Sequence, residues 1–228
     1  MTNPEPTPST DLATRPDKVP VAFGVAPETY DAAYRMAKAL SDSTIIPKDY
    51  RGKPADVLAA ILMGVEVGLP PMTALQSIAV INGRPGIFGD GLLALILTSP
   101  LYVSHAEWFE VLDGAGGEMI GIDALTPDAL VHPATRAVCE FVRKDRNDPV
   151  RRTFSVAQAK RANLLNKQGP WTEYPDRMLQ MRARSFAARD AFPDVLKGLR
   201  TLEELTDISE ETPPPVVRRK SETDPVAE

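Results

Sequence analysis

The chain has 228 residues, 43% of them hydrophobic, and a formal net charge of −5. That size and apolar content suit one cored domain with tails and exclude wholesale disorder. The longest apolar run is too short to span a bilayer and no basic–apolar–small leader opens the chain, so a cytoplasmic setting is expected, and the single cysteine, Cys139, excludes a disulfide framework or a cysteine zinc cluster.

Residues 1–26, rich in Pro, Thr and Asp, carry no periodicity and are expected to be a disordered arm. Pro27 to Leu40 has the spacing of a helix through Ala33, Met36, Ala37 and Leu40. A compact basic loop (45–54) precedes a strongly apolar helix from Ala55 to Gly68, with the glycine in the usual closing position. Pro70-Pro71 stops it, and Pro71 starts a short helix through Gln76. Asn82-Gly83 between Ser77–Ile81 and Arg84–Gly89 predicts a hairpin, with Pro85 marking the second strand as irregular or at an edge. Asp90 is expected to cap a helix running to Ser99. The glycines at 83, 86, 89 and 91 fit neither phosphate-loop nor dinucleotide spacing.

Leu101–Leu112 reads as a long strand, 113–135 as a connection with room for a short extra element, and Arg136–Lys144 and Val150–Phe154 as further strands joined by a turn at 145–149. Ser155 caps a helix over Val156–Asn163. A second helix spans Tyr174–Asp190 and stops before Pro193; a short helical piece follows at Asp194–Leu199, then an acidic tail over 201–228.

Charge is distributed unevenly along this order. Residues 143–197 hold 13 Lys/Arg against 6 Asp/Glu, a local balance of +7, whereas 201–228 carry −5 and 31–142 carry −6. A ligand feels the local field, so the basic quarter of the chain is the place to look for a polyanion partner. On the helix from Tyr174, Arg177 and Arg184 lie on one line and Arg182 and Arg189 on a second, about 140° away. Arginines beside a half-buried surface need carboxylates or phosphates. Arg143, Lys144, Arg146, Arg151, Arg152, Lys160 and Arg161 come just before them, and together they read as a groove that tracks the phosphates of single-stranded DNA. Trp171 and Tyr174 are the candidates for base stacking, with Phe154 as a further aromatic. The two histidines, His105 and His132, sit in no triad or metal-ligand spacing, and no catalytic or metal residue is assigned.

Gly169-Pro170-Trp171, Pro175, Arg177-Met178-Leu179, Arg182-Ala183, Ala188-Arg189 and Ala191-Phe192 resemble the signature of the phage single-strand annealing proteins, the RecT and Red Beta recombinases. Arg143–Asn147 with Pro149 resembles the charged hairpin of the Beta group. Gly68-Leu69 with Pro71-Met72, and Val80–Pro85 with Gly89-Asp90, resemble RecT segments nearer the start of the domain. The resemblance assigns 27–200 to the annealing domain. It implies an α+β fold related to the Rad52 annealing core, a small antiparallel sheet with a long helix across it plus accessory helices. Arg182 and Arg189 match basic positions that contact DNA in the family, and Arg177 matches a third. Asp176 departs from the Beta pattern, which has a lysine there, and is not carried over.

The resemblance further implies ATP-independent annealing of complementary strands in phage recombination within a bacterial host. It implies homo-oligomeric rings or helical filaments and a phage 5′→3′ exonuclease as partner; cooperation with a host single-strand-binding protein and modulation by Mg2+ are left open. No bound cofactor is expected. The alternatives are a passive single-strand binder or loader, and a metal-dependent nuclease using Asp90, Glu107 or Glu110.

Overall fold

The computed structural model describes residues 29–81, 83–112, 119–126 and 128–207. The expected disordered arm (1–26) and residues 208–228 of the expected tail lie outside the described residues. Thr29 caps helix α1 (Tyr30–Ser41), its hydroxyl accepting from the Ala32 N–H. A 3-10 turn at Lys48–Tyr50 leads to α2 (Pro54–Val67), which Gly68 closes in the left-handed conformation, φ 87°. Helix α3 (Pro71–Ser77) crosses α2 so closely that a Cβ on Gly64 would lie 2.3 Å from that of Ala74. These helices bury Ala37, Tyr50, Val57, Ile61 and Leu75 in a satellite core.

Strands β1 (Ile78–Ile81) and β2 (Arg84–Ile87) form the expected hairpin: Ile81 pairs with Arg84, and Gly83 takes φ 72° in the turn. Helix α4 (Gly89–Leu97) follows, ending two residues before the expected Ser99. Asp90 does not cap it. The helix begins at Gly89, and the Gly89 N–H donates to Glu203 from far along the chain, 3.2 Å. Asp90 is thereby free to face arginines.

Strands β3 (Tyr102–Leu112), β4 (Met119–Ile122), β5 (Arg136–Arg143) and β6 (Val150–Ser155) make an antiparallel sheet in the order β4-β3-β5-β6. β4 is a short extra element inside the 113–135 connection. Helix α5 (Val156–Arg161) opens with a capping box: the Ser155 hydroxyl accepts the Gln158 N–H, and the Gln158 side chain accepts the Ser155 N–H. After α6 (Pro170–Glu173) comes the long helix α7 (Pro175–Ala191). Pro175 stands at its first position, where no N–H is required, and Pro193, opening α8 (Pro193–Leu196), forces Phe192 out of helical geometry.

The chain then forms strand β7 (Arg200–Thr201) and helix α9 (Leu202–Asp207). The domain boundary expected at residue 200 is therefore no break in the packing: Leu202, Glu204 and Leu205 are buried. β7 pairs in parallel with β2 at Gly86 and Ile87, giving a second sheet, β1-β2-β7, in which β2 is central and not at an edge. Pro85 is tolerated there because β7 engages only the two residues after it.

The fold is α+β. Helix α7 lies across one face of the four-stranded sheet, and the main core joins Phe109, Cys139, Phe141 and Phe154 of the sheet to Leu179, Ala183 and Ala187 of the helix. On its other sides α7 meets α4, α9 and β7. It is thus enclosed and not half-buried as its sequence suggests, because small residues at 183, 187, 188 and 191 admit neighbours all round.

Candidate nucleic-acid interface

The two arginine lines of α7 meet different carboxylates. On the first line, Arg184 donates Nε and Nη2 to the two oxygens of Glu107 on β3, 2.5 and 2.7 Å, and Nη1 to Asp90 at 3.0 Å. Arg177 reaches the same Asp90 oxygen at 3.0 Å, and Gln180 adds a bond to Glu107 at 2.6 Å. Arg184 and Glu107 are both deeply buried, and every nitrogen of the guanidinium is engaged. Burial opposes its charge, but the bonds and charges of Glu107 and Asp90 outweigh that and raise its pKa above the usual arginine value.

On the second line, Arg182 donates Nη2 to Asp207 of α9 at 2.8 Å, and Arg189 lies 3.2 Å from Glu204 of the same helix. Asp207 also accepts both the Trp171 indole N–H, at 2.8 and 3.0 Å, and Lys167, at 3.4 Å. Glu204 also accepts the Ser185 hydroxyl at 2.8 Å and faces Arg200 at 3.7 Å. These contacts are incomplete. The Nε atoms of Arg182 and Arg189, and Oε2 of Glu203 on α9, are buried without a hydrogen-bond partner among the described residues. Each such atom costs about 1–3 kcal/mol. The guanidiniums also rest on aromatic faces, Arg182 over Phe154 and Arg189 over Phe186.

The hairpin residues expected to share one groove divide among several settings. Arg143 is buried and saturated: it bonds Asp145 and Asp194 through two nitrogens each and the Ala191 carbonyl at 2.6 Å, over the Phe192 ring. Hydrogen bonds to Asp145 and Asp194 raise its pKa, and the Arg143 bond holds the Asp194 carboxyl below its ordinary range. Arg151 and Arg152 are neighbours on β6, so strand alternation sends them to opposite faces. Arg152 turns to α7 and binds Asp190 at 2.5 Å; Arg151 turns to the outer face, where it and Arg136 hold Glu110 beside Trp108. Lys144, Arg146, Lys160 and Arg161 are exposed and form no ion pair among the described residues.

The two stacking candidates differ. Tyr174 is 62% exposed, whereas Trp171 is 3% exposed and packs against Phe154 in the core. Lys167 and Arg200 lie outside the residues that the sequence singles out, and the carboxylates of α9 open the acidic tail. A signal for them was present: acidic residues at 203, 204 and 207 follow helical spacing directly after a basic segment.

Glu107 and Glu110 lie three apart on β3 and so face opposite sides of the sheet. Among the described residues, no group of three or more His, Cys, Asp or Glu side chains could hold a metal ion. His105 meets the Tyr102 hydroxyl at 2.9 Å and stacks on Phe141; the His132 ring accepts the Ala134 N–H. What the site offers is an array of guanidiniums, each facing carboxylate. No single helix among the described residues is long and apolar enough to cross a membrane.

Residues 127–216 match the RecT family. That span takes in β5, β6, α5 through α9 and β7, and so both arginine lines and the acidic helix that faces one of them. RecT-family proteins are non-enzymatic annealases. No curated protein matches the chain.

Proposed function

We propose that this protein binds single-stranded DNA and promotes annealing of complementary strands without ATP hydrolysis, in phage homologous recombination within the cytoplasm of a bacterial host. The observation that carries the reading is the coincidence of the RecT match with α7, whose Arg182 and Arg189 keep buried donors unused among the described residues. Arginine suits the task, since its planar fork binds phosphate oxygens in pairs and never loses its charge.

The mechanism is electrostatic. Two complementary strands repel one another as polyanions. Arg182, Arg189 and Arg177, with the exposed Lys144, Arg146, Lys160 and Arg161, neutralise phosphates of one strand and leave its base edges free for pairing. Arg151 and Arg152 extend the basic surface on the two faces of the sheet. Arg143 and Arg184 act differently: their donors are spent inside the fold, so they position the sheet and helix. Tyr174 is the exposed aromatic suited to stacking on a base. The fold would be a variant of the Rad52-type annealing core, working as a ring or filament of identical subunits, with a phage 5′→3′ exonuclease supplying single strands.

The test is annealing of two labelled complementary oligonucleotides, with and without ATP. Accelerated pairing that is indifferent to ATP is the expected result. Binding without acceleration would instead establish a passive binder or loader. Magnesium-dependent shortening of the oligonucleotides would establish a nuclease, a reading that the separation of Glu107 from Glu110 disfavours.

A further inference from the structure

The buried side-chain atoms without hydrogen-bond partners among the described residues are Arg182 Nε, Arg189 Nε and Glu203 Oε2; the two arginines face α9 from α7, and Glu203 stands on α9 with its other oxygen on the Gly89 N–H of α4. Elsewhere in the fold, buried arginines are saturated: Arg143 and Arg184 use Nε and both terminal nitrogens. The α7–α9 contact is therefore the poorly satisfied polar junction of a well-satisfied interior. The side chains gathered there have one chemistry. Arg182, Lys167 and the Trp171 N–H converge on Asp207; Arg189, Arg200 and the Ser185 hydroxyl converge on Glu204. Each group of donors surrounds one anion, and each anion is a carboxylate on a helix of only six residues.

We propose that Glu204 and Asp207 of α9 stand in for two backbone phosphates, and that single-stranded DNA displaces α9 to occupy those two sites. Each carboxylate engages one nitrogen of its arginine and leaves at least the Nε donor unused among the described residues; a phosphate, with more oxygens, can take up more of the fork. The inference rests on the reading that this protein binds single-stranded DNA. It adds Lys167, Arg200, Ser185 and Trp171 to the phosphate contacts and makes α9 an autoinhibitory element. The free protein then keeps Arg182 and Arg189 neutralised until a strand of sufficient charge competes for them. Leu202 and Leu205 set the resistance to opening, since both are buried against the β1–β2 hairpin side of the domain, with Leu205 over Gly86.

The test uses the full chain, a labelled oligothymidylate and two readouts. Hydrogen exchange on the wild type, with and without the oligonucleotide, reports the amides of 202–207; these should lose protection when DNA binds. Binding to the Glu204→Gln/Asp207→Asn variant, which keeps the side-chain shapes but removes the charges, should be roughly tenfold tighter than to the wild type. Unchanged protection of 202–207 in the DNA-bound wild type, or an affinity that does not rise in the variant, overturns the inference while leaving DNA binding intact. Absence of binding by both proteins removes the proposed function and this inference together.

Discussion

Arg182 and Asp207 meet at 2.8 Å with their side chains only 10% and 4% exposed, yet the Arg182 Nε has no partner among the described residues, whereas Arg184, two residues on, engages every nitrogen it has. The two arginines stand on opposite lines of one helix and do different work. Arg184 ties α7 to β3 and α4. Arg182 is held by a short helix through one nitrogen.

Breaking the Arg184–Glu107 pair should be costly. Arg184→Ala leaves Glu107 buried with Gln180 and the Cys139 thiol as its remaining donors, and stability should fall by about 3–5 kcal/mol. Urea unfolding measures this directly. A loss within about 0.5 kcal/mol, the range of an ordinary surface change, would contradict a structural role.

Arg182→Ala with Arg189→Ala should lower the slope of log affinity against log salt by about 0.7 for each lost phosphate contact, and should slow annealing. Circular dichroism checks that the fold persists. An unchanged slope and unchanged annealing rate would remove both residues from the DNA interface.

The exposed set behaves differently. Alanine at Lys144, Arg146, Lys160 and Arg161 should leave stability within about 0.5 kcal/mol, because none of these side chains is buried. The same substitutions should weaken binding to oligonucleotides of any sequence, since phosphate contacts carry no sequence information. Fluorescence anisotropy with two oligonucleotides of unlike sequence separates this from base recognition.

Glu110 makes a prediction about acid. Burial works against its charge, but hydrogen bonds from Arg136 and Trp108 and the charges of Arg136 and Arg151 outweigh burial and hold its carboxyl below the usual range. Its folded pKa is thus lower than in the unfolded chain. The ionised group adds stability at pH above the unfolded value of about 4.3, and that contribution disappears as pH falls through the folded value. Urea midpoints followed down through this range should show a shallower acid loss in Glu110→Gln than in the wild type. Identical acid limbs would contradict the assignment.

Gly64 tests the α2–α3 crossing. An added methyl would meet the Ala74 Cβ at 2.3 Å, with backbone atoms close behind, so the helices must part. Gly64→Ala should destabilise by about 1–3 kcal/mol, despite the better helix propensity of alanine, and thermal unfolding checks it.

Local order was largely readable from residue pattern. The Asn82-Gly83 hairpin, the Gly68 helix end, the Ser155 cap and the proline limits of α7 each follow from chemistry within a few residues of the feature. Asp90 is not the cap that its local pattern suggests, because the first N–H of its helix goes to Glu203, whose position near Gly89 no local pattern encodes. Arg151 and Arg152 do not share one groove, because the alternation of β6, itself visible in the sequence, sends them to opposite faces. Trp171 offered no local sign that its indole N–H points at Asp207, 36 residues away.

Spacing along a helix is a covalent property, so the seven-residue intervals alone put Arg177 with Arg184 and Arg182 with Arg189 on two separate lines. Which anions face those lines is not covalent. Glu107 and Asp90 come from 77 and 94 residues before Arg184, and Asp207 from 25 residues after Arg182. Only the closing of β3, α4 and α9 around α7 brings them into contact, because the energy of an ion pair depends on distance and burial and not on separation along the chain.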